Sequence, residues 1–62
     1  MTGTIKQKND KGYGFILGEK QDYFFHTSQC ITHFDHLSPG DKVEFEIEES
    51  PKGPRAKDVR LV

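Results

Sequence analysis

Residues 11–16 read Lys11-Gly12-Tyr13-Gly14-Phe15-Ile16. Aromatic residues alternate with glycines behind a leading lysine. In an extended strand, successive side chains point to opposite faces. Tyr13 and Phe15 therefore share one face, and Gly12, Gly14 and Ile16 lie toward the other. Downstream, Asp22-Tyr23-Phe24-Phe25-His26 repeats the pattern. Phe24 and His26 share a face there, and Tyr23 and Phe25 form the opposite one. The four residues 18–21 between these runs, Gly18-Glu19-Lys20-Gln21, suit a tight connection. Pairing the two runs places Tyr13, Phe15, Phe24 and His26 in one exposed patch, with Tyr23 and Phe25 in the core or at its rim.

The flanking segments complete a small β architecture. Gly3 to Lys8 reads as a first strand anchored by Ile5, and Asn9-Asp10-Lys11-Gly12 as a turn into Tyr13–Leu17. Thr27-Ser28-Gln29-Cys30 predicts a short helical turn capped by Thr27 or Ser28. Residues 31–41 lack periodicity and close in a turn at Leu37-Ser38-Pro39-Gly40-Asp41. Lys42 to Glu48 alternates strictly, with Val43, Phe45 and Ile47 facing in and the glutamates facing out. Ser50-Pro51-Lys52-Gly53-Pro54 reads as a loop. Ala56 to Val62 is the last strand. Ala56 and Val59 are both core candidates but differ in parity, which predicts a bulge or bend there. The sum is all-β: five short antiparallel strands closing an OB-type barrel, with an SH3-like barrel as the alternative.

The chain has 62 residues, enough for one domain spanning 1–62. A domain of this size buries one small core and holds a stability of about 3–5 kcal/mol. Net charge is −1, but it is unevenly spread. Lys6, Lys8, Lys11 and Lys20 outnumber Asp10 and Glu19 at the front. Lys52, Arg55, Lys57 and Arg60 outnumber Asp58 at the end. The middle holds Lys42 against seven carboxylates. This division predicts one positive and one negative side. Cys30 is the sole cysteine, so no internal disulfide forms. No secretory signal or membrane-length apolar run is present, which predicts a cytoplasmic location and no membrane partner. His26, Cys30, His33 and His36 fall close together, but their spacing follows no metal-ligand pattern, so neither metal nor cofactor is expected. No nucleophile–base or paired-carboxylate arrangement stands out, so an enzyme is not expected.

Rings left on a sheet surface call for a flat partner, and a nucleobase supplies one. Lys6, Lys8 and Lys11 near the patch, with Lys52 on its far side, would hold phosphates. Asp22 either closes its turn or reads a base edge. Phe34 either packs under its loop or adds a ring. Tyr13 and Phe15 taken as core instead would leave Gly12 and Gly14 outside and expose Ile16.

These residues resemble the cold-shock domain family. Lys11 to Ile16 is similar to the first ribonucleoprotein motif, and Tyr23-Phe24-Phe25-His26 to the second in its cold-shock form. Gly3-Thr4-Ile5-Lys6 and Lys52-Gly53-Pro54-Arg55-Ala56 resemble the same family, in the same order along nearly the whole chain. RNA-recognition-motif domains share the first motif, but they carry two helices and place their second motif upstream.

The resemblance implies a five-stranded barrel binding single-stranded RNA or DNA with low sequence specificity, often favouring pyrimidine-rich stretches; nothing in the chain demands more than a monomer. It also implies action as an RNA chaperone or as a regulator of transcription or translation. The implied binding residues are Lys6, Lys11, Tyr13, Phe15, Asp22, Phe24, His26 and Lys52. The chain departs from the family at Gln7 and Lys8, where members carry a Trp-Phe pair, and at Thr27, where many carry Phe. Its first turn is also one residue shorter. Fewer rings predict weaker binding, at about 1–3 kcal/mol per stacked base. A protein-interaction barrel with the aromatic face given to a partner chain is the competing class.

Overall fold

The computed structural model describes all residues 1–62. Five strands form in chain order: β1 (Thr2–Lys8), β2 (Tyr13–Leu17), β3 (Asp22–His26), β4 (Lys42–Ser50) and β5 (Gly53–Leu61). They close in the order β1-β2-β3-β5-β4, with β4 paired back onto β1. Two single 3-10 turns, Thr27–Gln29 and Phe34–His36, lie on the β3–β4 connection. No helix is long and apolar enough to cross a membrane.

The all-β barrel is as the alternation predicts, with one correction to strand direction. Four of the five seams are antiparallel, but β3 meets β5 in parallel, through Phe24 opposite Arg55. The reason is topological. The long β3–β4 connection carries the chain across the barrel end, so β5 returns alongside β3 in the same direction.

The core contains Ile5, Ile16, Tyr23, Phe25, Val43, Phe45, Ala56 and Val59, all buried. Tyr23 packs on Phe45, with ring centroids 5.4 Å apart. Leu37 and Phe34 complete the core from the β3–β4 connection. Leu37, read from sequence as part of a turn, is fully buried. Ile47 lies opposite the buried Ala56, on the face its parity predicts, but it is not buried there; it is 40% exposed. Pairing of β1 with β4 stops at Thr2 opposite Glu44. Beyond that point β4 has no partner on its β1 side while β5 goes on to meet β3, so the β4 edge of the inner face is left partly open at Ile47.

Two bulges set the geometry. In β5, Glu44 lies opposite Arg60 and Glu46 opposite Lys57, so β5 carries an extra residue. Asp58 sits there with φ of 53°, and Ala56 and Val59 both reach the core, as their parity requires. In β1, Ile5 lies opposite Ile16 and Gln7 opposite Phe15, so Lys6 is the extra residue. The predicted 50–54 loop tightens into a hairpin in which Ser50 pairs with Gly53. Its two connecting residues, Pro51 and Lys52, suit a β-hairpin turn, and Gly53 adopts the positive φ that closes it.

Candidate nucleic-acid interface

The β1 bulge decides which side chains reach the aromatic face. Directly opposed residues on paired strands share a face. Without a bulge, Gln7 would follow Ile5 into the core and Lys8 would follow Lys6 outward. With Lys6 as the extra residue, Gln7 turns out beside Phe15, and Lys8 falls opposite the buried Gly14.

Strands β2 and β3 pair in full register, Tyr13 with His26 and Phe15 with Phe24. Their outer side chains meet as the sequence predicts. Tyr13 and Phe24 have ring centroids 5.4 Å apart and tilted by 35°; Phe15 meets Phe24 edge-on at 5.9 Å. Tyr13, Phe15 and Phe24 are half-buried and His26 is exposed. His26 also caps the first 3-10 turn, in place of Thr27 or Ser28. Its Nδ1 accepts the Ser28 backbone N–H at 3.1 Å and lies 2.9 Å from Ser28 Oγ. The imidazole is thereby fixed at the end of the patch with Nε2 free.

The cations are more committed than the sequence indicates. Lys6 pairs with Asp22 at 2.6 Å on the exposed surface, at the Phe15 end of the patch. Lys8 is not at the edge of the rings. Its Nζ donates to the Phe34 carbonyl at 2.8 Å and stands 4.6 Å from the centroid of that ring. Phe34 itself is only 8% exposed and packs on Phe25 with centroids 5.8 Å apart. Of the two readings of Phe34, the one under its loop holds, and the extra stacking ring is absent. Lys11 and Lys52 make no ion pair within the chain. Lys11 is carried on the turn before Tyr13. Lys52 is on the β4–β5 hairpin, whose residues 50–55 line an open cleft against Phe24.

The predicted positive and negative sides do not separate. Arg55 pairs with Glu48 at 2.8 Å and Arg60 pairs with Glu44, each across the β4–β5 ladder. The acidic strand neutralises the basic one beside it. Elsewhere, His33 and His36 stack loosely at 5.6 Å, and no three His, Cys, Asp or Glu side chains converge. Cys30 is half-buried with its Sγ near the His26 carbonyl; burial pushes its thiol up, with Lys8 opposing.

Sequence reading missed Gln7 and Asn9 as surface features of the site. Together with Lys8 they flank a small cleft of about 150 Å³ over Gly14, between Tyr13 and Phe15. For Gln7 the resemblance held a signal, since it stands where the family carries a ring; the bulge that turns it outward is not marked by residue types alone.

A closed five-stranded barrel whose adjacent strands β2 and β3 present three rings and an imidazole is an OB-type barrel with an aromatic sheet face. The family model described as the "'Cold-shock' DNA-binding domain" matches residues 1–62. The "Cold shock-like protein" of Aquifex aeolicus is 48% identical, over 97% of this chain and 91% of its own length. The "Cold shock-like protein CspA" of Stigmatella aurantiaca is 46% identical over 98% and 96% of the two chains. The "Major cold shock protein CspA" of Bacillus cereus is 47% identical over 95% and 92%. The chain belongs to the cold-shock domain family, and nucleic-acid binding is the general property of that family.

Proposed function

We propose that this barrel binds single-stranded RNA and DNA by stacking bases on Tyr13, Phe15, Phe24 and His26. The observation that carries the reading is the uncovered ring cluster across the β2–β3 ladder. Every base has a face to stack, so the platform tolerates many sequences. Lys11 and Lys52, free of internal ion pairs, hold phosphates at opposite sides of it. Lys6 and Asp22 exchange one another for phosphate and base edge at small cost, since an exposed ion pair contributes only about 0–1 kcal/mol. The protein acts as a cytoplasmic monomer, as an RNA chaperone or a regulator of transcription or translation, through binding and not catalysis.

Titration with a short oligouridine or oligothymidine tests this. Backbone and ring resonances of Tyr13, Phe15, Phe24 and His26 shift together, with micromolar or tighter binding. Phe15→Ala with Phe24→Ala costs about 2–6 kcal/mol of binding, while the circular dichroism of the folded barrel persists. Absence of binding at low salt overturns the reading and favours a protein partner on this face.

A further inference from the structure

We propose that the free edge of β4, residues 46–50, is a docking site for an extended basic segment of a partner protein, which adds to the barrel as a further strand. The site is separate from the ring face. It starts from the backbone. β1 leaves β4 at Thr2 opposite Glu44, and the last rung is the Phe45 N–H donating to the Met1 carbonyl. β4 runs on to Ser50 with β5 on one side only. Along a strand, the backbone polar groups of successive residues alternate between the two sides. Phe45 directs its groups toward β1, as its bond to Met1 shows, so Ile47 and Glu49 direct theirs the same way. The extra residue of the nearby bulge belongs to β5, and the alternation in β4 continues through it. Pro54 agrees with this: it has no N–H to donate and stands opposite Glu49, whose groups face away. The N–H and C=O groups of Ile47 and Glu49 thus form a row without a partner in the chain. Such a row is the template on which an added strand forms.

The side chains select the occupant. Glu46 and Glu49 are exposed and make no ion pair, while Glu48 is half-buried and holds Arg55. Lys57 lies opposite Glu46 on β5 without pairing to it. Two such edges brought together would set glutamates against glutamates, and like charges directly opposed are destabilising. Charge therefore disfavours a second copy of this chain and favours a basic strand. Ile47, 40% exposed, sets the remaining position. Directly opposed residues share a face. An antiparallel strand, continuing the direction of β1, then places basic side chains opposite Glu49, Glu48 and Glu46 and an apolar one opposite Ile47. Read from its N-terminus, the segment runs basic, basic, apolar, basic. Its apolar side chain closes over Ile47, where the inner face is open.

The test titrates a capped peptide centred on Lys-Lys-Val-Lys into the protein at low salt and follows the protein by NMR. On addition, the Ile47 and Glu49 amide protons move downfield and their hydrogen exchange slows. Replacing the peptide's Val by Pro keeps its charge but removes the N–H that meets the Ile47 carbonyl. Binding weakens by about three- to tenfold, the worth of one such hydrogen bond. Glu46→Lys with Glu49→Lys abolishes binding of the basic peptide; both positions are exposed, and the circular dichroism of the barrel persists. Equal binding of the Val and Pro peptides, or shifts that leave the Ile47 and Glu49 amides unmoved, reduces the contact to general charge attraction and overturns the proposal. Slowed exchange at these two amides that grows with protein concentration, in the absence of peptide, gives the edge to a second copy and overturns it as well. So does a titration without any shift. Each of these outcomes leaves the stacking reading of the ring face standing.

Discussion

Gly14 is the residue on which the platform depends most sharply. A Cβ placed there would lie 2.4 Å from the Gln7 carbonyl oxygen and 2.9 Å from Lys8 Cα. Both are backbone atoms that cannot swing aside. Gly14→Ala therefore forces β1 away from β2, and overpacking of this kind costs about 1–3 kcal/mol. Chemical denaturation measures the loss, and oligonucleotide binding falls with it because Phe15 moves. Cys30 gives a second residue-scale prediction. Its folded thiol pKa is raised by burial, so the native state holds the proton more tightly than the unfolded chain. Any stability tied to this group is present below the unfolded pKa and declines as pH rises toward the folded one. At mildly alkaline pH the thiolate is scarcer in the native protein. Alkylation of Cys30 is then slower than that of a model thiol and rises to the model rate in denaturant.

At the scale of elements, the two bulges do more than bend strands. The β5 bulge is strained at Asp58, whose left-handed φ of 53° suits glycine better than a residue with a Cβ. Asp58→Gly raises stability by about 0.5–1 kcal/mol in a denaturant melt. The β1 bulge sends Lys8 to the 3-10 turn at Phe34–His36, where it ties strand to loop. Lys8→Ala removes a cation–π contact and a charged hydrogen bond, together worth about 1–2 kcal/mol. Hydrogen exchange reads the change at the His36 and Leu37 amides, which bond within that turn.

The same elements show what was legible in the sequence. Alternation gave β2, β3 and the buried half of β4, because a strand with one buried face must repeat every second residue. It gave the β5 bulge, because Ala56 and Val59 demanded a change of parity. It did not reveal the β1 bulge, since Lys6, Gln7 and Lys8 are all polar and leave parity without a marker. One consequence stayed hidden behind it: Lys8 on the loop and not at the edge of the rings. Ile47 misled for another reason, since its pattern was correct but the layer needed to cover it ends at Thr2.

Across the whole molecule, charge is organised by pairing across strands more than by segregation. Glu44 and Glu48 occupy Arg60 and Arg55, and Asp22 occupies Lys6. Of the cations beside the rings, Lys11 and Lys52 remain without an internal ion pair. With about two to four phosphates neutralised, log affinity falls against log salt with a slope of about −1.5 to −3. Binding measured across a salt series checks this; a much steeper slope would require the cross-strand pairs to open.

The closed strand order has a consequence for how the protein comes into being. β5 is made last, yet it lies between β3 and β4 and brings Ala56 and Val59 into the core. The meander of β1, β2 and β3 has its rings in place early but little beneath them to hold the sheet flat. A nascent chain stalled before residue 53 carries the ring side chains of β2 and β3 without a barrel to present them. Stability and the aromatic face are therefore delivered in one step, when the final strand slides into its slot.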